Sequence, residues 1–106
     1  MWICLNDAFI SVVRLPWPSQ DMQVRARRKA HLVKLFPNDK VRYTPKNDYH
    51  WRVIVSEDQI AELVASRIRG INYDNFKDSV KEPRLKGMYG TWWQDHHRYQ
   101  TNDRRQ

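Results

Sequence analysis

The strongest constraint on the fold is a change of hydrophobic period at Ser56. Before it, apolar and polar residues alternate over 49–55, the pattern of a half-buried strand. After it, apolar residues recur at helical spacing, and Ser56 with Gln59 forms a capping-box signature. We predict a strand that runs directly into an amphipathic helix, which ends at Gly70. The apolar face of this helix comprises Ile60, Leu63, Val64, Ile68 and Ile71.

Shorter elements surround this junction. β-branched and aromatic residues predict strand over 2–15, with a turn at 6–8, and alternation predicts another strand over 22–27. Residues 40–44 would pair with 49–55 as a hairpin, and helices are predicted at 28–36 and from Glu82-Pro83 onward. We therefore predict one α+β domain over 1–100 and a flexible polar tail at 101–106. Its single antiparallel sheet would have about four strands, with two to three helices on one face; a ferredoxin-like arrangement fits this order.

Composition narrows the class of protein. The chain has 106 residues, 41% of them hydrophobic, enough for one core. No apolar run approaches the ~18 residues of a membrane span, and no leader peptide is evident, so we expect a cytoplasmic protein with no membrane partner. Cys4 is the only cysteine, which excludes an internal disulfide and a Cys-based zinc site. We expect no cofactor.

Positive charge is concentrated in one part of the chain. Residues 22–56 carry nine bases and two acids, which accounts for the whole net charge of +7. Strand alternation would place four arginines on the uncovered sheet face, with His50 beside them and two further bases from the first helix. The candidate anion-binding residues are Arg25, Arg27, Arg28, Lys29, Arg42, Arg52 and His50. Guanidinium groups suit phosphate because each offers a planar two-pronged donor.

Two alternatives weaken or refine this interpretation. The arginines could be neutralised by Asp7, Asp39, Asp48 or the acidic helix that follows Ser56, leaving only a solvated basic face. In addition, alternation assigns the aromatic residues Tyr43, Tyr49 and Trp51 to the core side. Because base stacking needs exposed rings, the surface would then favour phosphates and give little sequence specificity.

Five tryptophans are many for a chain of this length. We assign Trp2 and Trp51 to the core. Trp17, between two prolines, and Trp93, next to Trp92, are candidate partner anchors, because tryptophan is enriched in binding hot spots. The alternative is that both pack at the edge of the body.

Catalytic and metal signatures are weak. Adjacent His96 and His97 would point about 100° apart on a helix and would not chelate together. Cys4 has no nucleophile signature, and no serine lies in a nucleophile elbow. We therefore expect no metal site, no catalytic residue and no enzymatic activity. A divergent Mg²⁺-dependent nuclease that uses Asp7, Asp48 and His50 is the remaining alternative.

Several stretches resemble a small bacterial and phage protein family of uncharacterised role. They read W-x-x-L-x-D-A-F-x-S-V-V from Trp2, V-R-A-R from Val24, D-Y-H-W-R from Asp48 and I-x-Y-x-N-F-K-D-S-V from Ile71. The resemblance covers about residues 1–90 and implies no activity. It does imply that residues 75–78 form a defined structural element. The last fifteen residues depart from the family pattern.

Together these observations predict a small basic, non-enzymatic module that binds nucleic acid or a nucleoprotein complex through the arginines. The alternative is a phage-type inhibitor, a protein-interaction module that acts on a host complex such as a CRISPR effector. Small size, high aromatic content and the lack of a catalytic constellation suit an inhibitor. Either a monomer or a homodimer fits the sequence.

Overall fold

The computed structural model describes residues 1–101 and 103. The strands are β1 (Trp2–Cys4), β2 (Phe9–Arg14), β3 (Met22–Ala26), β4 (Arg42–Tyr43) and β5 (Trp51–Val55). The helices are α1 (Lys29–Leu35), α2 (Glu57–Arg69), α3 (Phe76–Ser79) and α4 (Pro83–Tyr99). The predicted α+β class with a single antiparallel sheet is confirmed. The described residues form five strands and four helices, close to the expected four strands and two to three helices.

The sheet order is β1-β2-β3-β5-β4, and every neighbouring pair is antiparallel. The predicted break in the first strand region is present: Leu5 N donates to Ala8 O at 2.9 Å in the turn between β1 and β2. A ferredoxin-like fold has the element order β-α-β-β-α-β. Here three strands precede the first helix, so the ferredoxin-like arrangement is not the one adopted.

The chain divides into two compact units. The first, Met1–Asn72, contains the whole sheet with α1 and α2, and the second begins at Tyr73 and contains α3 and α4. Two compact units can belong to one folding domain, so the single domain over 1–100 remains a prediction. The predicted tail at 101–106 lies outside the described residues, except for Thr101 and Asp103.

The core of the first unit forms between one face of the sheet and the helices α1 and α2. Its buried side chains are Ile10, Val12, Val24, Ala26, Leu32, Phe36, Val53, Val55 and Ile60. Complete burial of a side chain such as Phe36 or Ile10 contributes about 1.5–3 kcal/mol through the hydrophobic effect. This packing fixes which strand residues point inward, and therefore which ones lie on the opposite face of the sheet.

Helix α2 begins and ends where the sequence predicts. The Ser56 side chain accepts a hydrogen bond from Gln59 N at 3.1 Å, and Gly70 follows the last turn. The predicted apolar face is correct for Ile60, which is buried, and for Leu63 and Val64, which pack against the core. It is wrong for Ile68 and Ile71, which are 62% and 50% exposed. The last turn extends beyond the core, where polar contacts hold it instead.

The second unit is organised by two capped helices. The Asn75 side chain accepts from Asp78 N at 3.2 Å at the start of α3, and the Glu82 carboxylate accepts from two backbone N–H groups at the start of α4. Ring contacts at 5.1 Å between Phe76 and Tyr89 join the two helices. The predicted last helix is therefore confirmed. Within the described residues, no helix is long and apolar enough to cross a membrane.

Candidate anion-binding surface

The register of the sheet lines up three arginines. Arg25 of β3 lies opposite Arg52 of β5, which in turn lies opposite Arg42 of β4. All three side chains alternate with inward-facing residues such as Val24 and Val53, so they occupy the other face of the sheet. Directly opposite residues have Cβ atoms about 4.5–5.5 Å apart. We call Arg25, Arg52 and Arg42 the arginine row.

Hydrogen bonds hold two members of the arginine row in place. Arg25 Nη2 donates to Ser11 Oγ at 2.8 Å. Arg52 Nε donates to Thr44 Oγ1 at 3.3 Å, and its Nη2 lies 3.4 Å from Asp48 Oδ1. The Arg42 side chain is exposed and makes no hydrogen bond or ion pair with any residue that the structure describes. Of the three guanidinium groups, Arg52 is therefore the one that pairs with a carboxylate among the described residues.

The Tyr49 ring packs against two of the arginines. Its ring is buried, and the Cζ atoms of Arg25 and Arg27 lie 4.6 and 4.1 Å from the ring centroid. Arg27 also donates to the Asp48 backbone carbonyl. Cation–π contacts of this kind contribute about 0.5–2 kcal/mol each. Alternation predicted that Tyr49 is buried on the core side. The ring is buried, but it contacts the arginines, because β5 begins only at Trp51 and the preceding turn does not follow the strand period.

Asp48 is ionised at neutral pH. The Tyr49 backbone N–H donates to Asp48 Oδ1 at 2.9 Å and holds the pKa of this carboxyl below its usual value of 3.8. Desolvation raises the pKa, but the positive charges of Arg25, Arg52 and Arg27 lower it further. The Asp48 carboxylate therefore interacts with the positive charges of Arg25, Arg52 and Arg27.

The other acids that could neutralise the surface have different partners. Asp7 pairs with Arg67 at 2.7 Å and with Lys34 at 3.8 Å, both away from the arginine row. Asp39 accepts from Gln59 Nε2 at 2.7 Å. Of the three predicted aspartate partners, only Asp48 reaches the arginines among the described residues. Internal pairing therefore leaves most of the positive charge in place.

A second group of predicted residues lies around Trp51. Lys29 Nζ is 5.5 Å from the Trp51 ring centroid, Tyr43 packs on Trp51 at 4.6 Å, and His50 meets Tyr43 edge-on at 6.3 Å. We predicted that His50 and Lys29 lie beside the arginines, but both residues lie around Trp51 and apart from the arginine row. We call Tyr43, His50 and Trp51 the edge aromatic cluster. Arg28, the residue before α1, is exposed.

Sequence reasoning missed Tyr43, because alternation assigned its ring to the core. The ring is on the inward side opposite Trp51, yet it is 58% exposed, since β4 is a two-residue strand at the sheet edge. The sequence does contain a signal of a short edge strand here. Pro37 and Pro45, with their turn-forming neighbours, leave room for only a few strand residues between them. Short strands are typical of sheet edges.

The tryptophans differ in exposure. Trp17 is 86% exposed in the loop between β2 and β3, as the prediction of an exposed anchor requires. Trp93 is 43% exposed, with Lys77 Nζ 4.0 Å from its ring centroid and His97 stacked on it at 5.5 Å. The core assignment of Trp2 is wrong: this residue is 64% exposed on the edge strand β1. Trp51 is half-buried against the core, close to the prediction.

Metal-ligating and nucleophilic side chains are dispersed. Among the described residues, no group of three or more His, Cys, Asp or Glu side chains could hold a metal ion. Cys4 is exposed on β1, and desolvation raises the pKa of its thiol above 9.0. A reactive cysteine needs the opposite shift, because the thiolate is the nucleophile.

No protein-family model matches the chain, and comparisons with curated proteins and with solved structures found no match. The predicted resemblance to a bacterial and phage family therefore stays a prediction.

Proposed function

We propose that this protein is a small basic, non-enzymatic module that binds nucleic acid, alone or within a nucleoprotein complex, through its phosphates. The observation that carries the proposal is the arginine row, in which three strands hold Arg25, Arg52 and Arg42 opposite one another. Arg27 lies beside it over Tyr49. Phosphate oxygens accept the paired N–H donors that guanidinium groups offer.

The size of the row favours a polyanion over a single anion. Neighbouring strands are about 4.8 Å apart, so β3, β5 and β4 span roughly 10 Å. One strand of a duplex carries about three phosphates over that length, since it has one per 3.4 Å of helix axis. A lone carboxylate or phosphate would engage only part of the row.

The electrostatic repulsion within the arginine row supports the same proposal. Like charges directly opposite each other in a sheet reduce its stability. Asp48 and the Tyr49 ring offset part of this repulsion, but neither contacts Arg42 among the described residues. Bound phosphates would relieve the repulsion in full, so the arrangement is better suited to a ligand than to stability.

Polarisation of a labelled single-stranded or duplex oligonucleotide, titrated at about 50 and 200 mM salt, tests the proposal. Arg42→Ala is the best variant, because the Arg42 side chain is exposed and supports no described neighbour. We expect binding to weaken at least tenfold with salt, and Arg42→Ala to reduce the slope of log affinity against log salt by about one.

Arg69→Ala is the matched control, since it removes the same charge from an exposed position at the end of α2. It should leave the salt slope close to that of the wild type. Affinity that does not change with salt would contradict the proposal. So would equal effects of the Arg42 and Arg69 substitutions, because the arginine row would then have no special part in binding.

A second candidate function is a protein-interaction module, such as a phage-type inhibitor of a host complex. Trp17 favours it, because this ring is 86% exposed between Pro16 and Pro18. A large rigid side chain of this kind is typical of an interface anchor. Trp17→Ala should then abolish capture of the host complex, while Trp2→Ala, which removes another exposed ring, should not.

A further inference from the structure

The edge aromatic cluster exposes a ring that the structure already holds in place. One face of Tyr43 packs on Trp51 at 4.6 Å with a tilt of 34°, and His50 meets the Tyr43 ring edge-on. The ring is nevertheless 58% exposed. An aromatic side chain that is fixed before binding loses little conformational freedom when a ligand stacks on it.

Two basic side chains lie near the edge aromatic cluster. Lys29 Nζ lies 5.5 Å from the centroid of Trp51, on the inner side of the cluster. Arg42 is the residue before Tyr43 on the same strand, so its side chain points to the opposite face of the sheet edge. A chain that passes along β4 would therefore meet a base-stacking ring and phosphate-binding cations at the same edge.

We propose that the edge aromatic cluster stacks an unpaired nucleobase on Tyr43, so that the ligand of this protein is single-stranded nucleic acid. This inference rests on the proposed function and names its substrate class. Aromatic rings bind bases through their faces, and every base offers a π-face, so stacking is tolerant of sequence. Bases inside a duplex are already stacked on their neighbours and expose only their edges in the grooves.

Two groups of side chains would contact different parts of the nucleic acid. The arginine row would hold the phosphate backbone, and Tyr43 would distinguish a strand with accessible bases from one without them. An acidic protein surface could contact the arginines, Lys29 and Tyr43, because tyrosine is enriched in protein interfaces, but it offers no nucleobase to stack on the ring. Stacking is therefore the property that separates the two kinds of partner.

The experiment compares two labelled strands of about 12 nucleotides, which is within the site size of single-strand-binding folds. One strand carries bases and the other is abasic, with the same number of phosphates. We expect the wild type to bind the base-bearing strand about tenfold more tightly than the abasic strand. Tyr43→Ala should lose this preference and bind the abasic strand as the wild type does.

Two further variants keep the test independent of folding. Tyr43→Phe retains a flat ring and should keep the preference, whereas Tyr43→Leu retains apolar contact with Trp51 but should lose it. Tyr99→Ala is the matched control, because Tyr99 is another exposed tyrosine, at 91% exposure. Circular dichroism should show the same fold for all of them. An RNA version of each strand separates RNA from DNA as the source of the bases.

Equal wild-type affinity for the two strands would overturn the stacking inference and leave phosphate binding intact. The same holds if Tyr43→Leu keeps the preference, or if Tyr43→Ala weakens binding to both strands equally. No binding to either strand at low salt would instead reject the proposed function itself, and a protein partner would be sought.

Discussion

The arrangement of the arginines is decided by individual contacts. Arg25 is held by Ser11 Oγ and by the Tyr49 ring, yet its Nε is buried and has no hydrogen-bond partner among the described residues. A buried donor without a partner costs about 1–3 kcal/mol. The Arg25 side chain is therefore held in position at a cost to stability.

Asp48 gives the first testable prediction at this scale. Its pKa is lowered in the folded protein, chiefly by the Tyr49 N–H, so the carboxylate contributes stability above the unfolded pKa near 3.8. That contribution is lost as the pH falls through the folded pKa. Asp48→Asn should therefore be less stable than the wild type at pH 6–7, and the difference should shrink below about pH 3.8.

Chemical unfolding at each pH measures this difference. Asp74→Asn, at an exposed position outside the helices and strands, controls for the loss of one negative charge. A destabilisation by Asp48→Asn that is equally large at pH 7 and in acid would assign the effect to hydrogen-bond geometry and contradict the electrostatic account.

At the residue scale, strand alternation was a good guide only inside strands. It predicted the side of the sheet on which Arg25, Arg42 and Arg52 lie, because successive side chains in a strand point to opposite faces. It failed for Tyr49 and His50, which lie in the turn before β5, where backbone bends replace the two-residue period. The contact of Tyr49 with two arginines depends on that turn and not on local pattern.

Among the elements, α4 contains two glycines that lower its stability. Gly87 and Gly90 lie within this helix, and a Cβ added at either position would meet no atom within 4 Å. Glycine in a helix interior costs about 1 kcal/mol relative to alanine, because its backbone loses more freedom on folding. The helix compensates at its start, where Glu82 accepts two backbone hydrogen bonds.

We predict that Gly87→Ala and Gly90→Ala each raise the free energy of unfolding by up to about 1 kcal/mol. Thermal or urea unfolding would measure the gain. Gly70→Ala is the comparison, because its Cβ would lie 3.3 Å from the Ser66 carbonyl oxygen, and we expect a smaller gain there or none. A lower free energy of unfolding in both α4 variants would contradict this prediction, because it would mean that the space beside the two glycines has to stay open.

The elements differ in how far local sequence defines them. The bounds of α2 follow from Ser56 and Gly70, because caps are local hydrogen-bond signals. Strand β4 is shorter than the predicted 40–44, since its length depends on pairing with β5 alone at the sheet edge. The pairing of β5 with β4 is the predicted hairpin, whereas its pairing with β3 joins segments far apart in the sequence, which hydrophobic period does not encode.

For the whole molecule, the distribution of charge matters more than its total. The net charge is +7, and the segment 22–56 that carries it lies entirely in the first compact unit. A localised positive field raises the rate at which anionic partners are encountered. This field extends about 10 Å into solution at 0.1 M salt, because counterions screen it.

The corresponding prediction concerns association kinetics. The association rate constant with a single-stranded oligonucleotide should fall at least several-fold between about 50 and 200 mM salt, more steeply than dissociation rises. Stopped-flow fluorescence measures both. An oligonucleotide with an uncharged methylphosphonate backbone should show little salt dependence, and a salt effect of equal size on that probe would contradict electrostatic steering.

The two outer strands of the sheet have a consequence for self-association. β1 has three residues and β4 has two, so each free edge offers only a few backbone groups to a neighbouring chain. Long flat edges act as templates for edge-to-edge aggregation, and short ones do not. The sheet can therefore leave rings such as Tyr43 and Trp2 exposed at its margins without offering a ladder on which copies of the chain could polymerise.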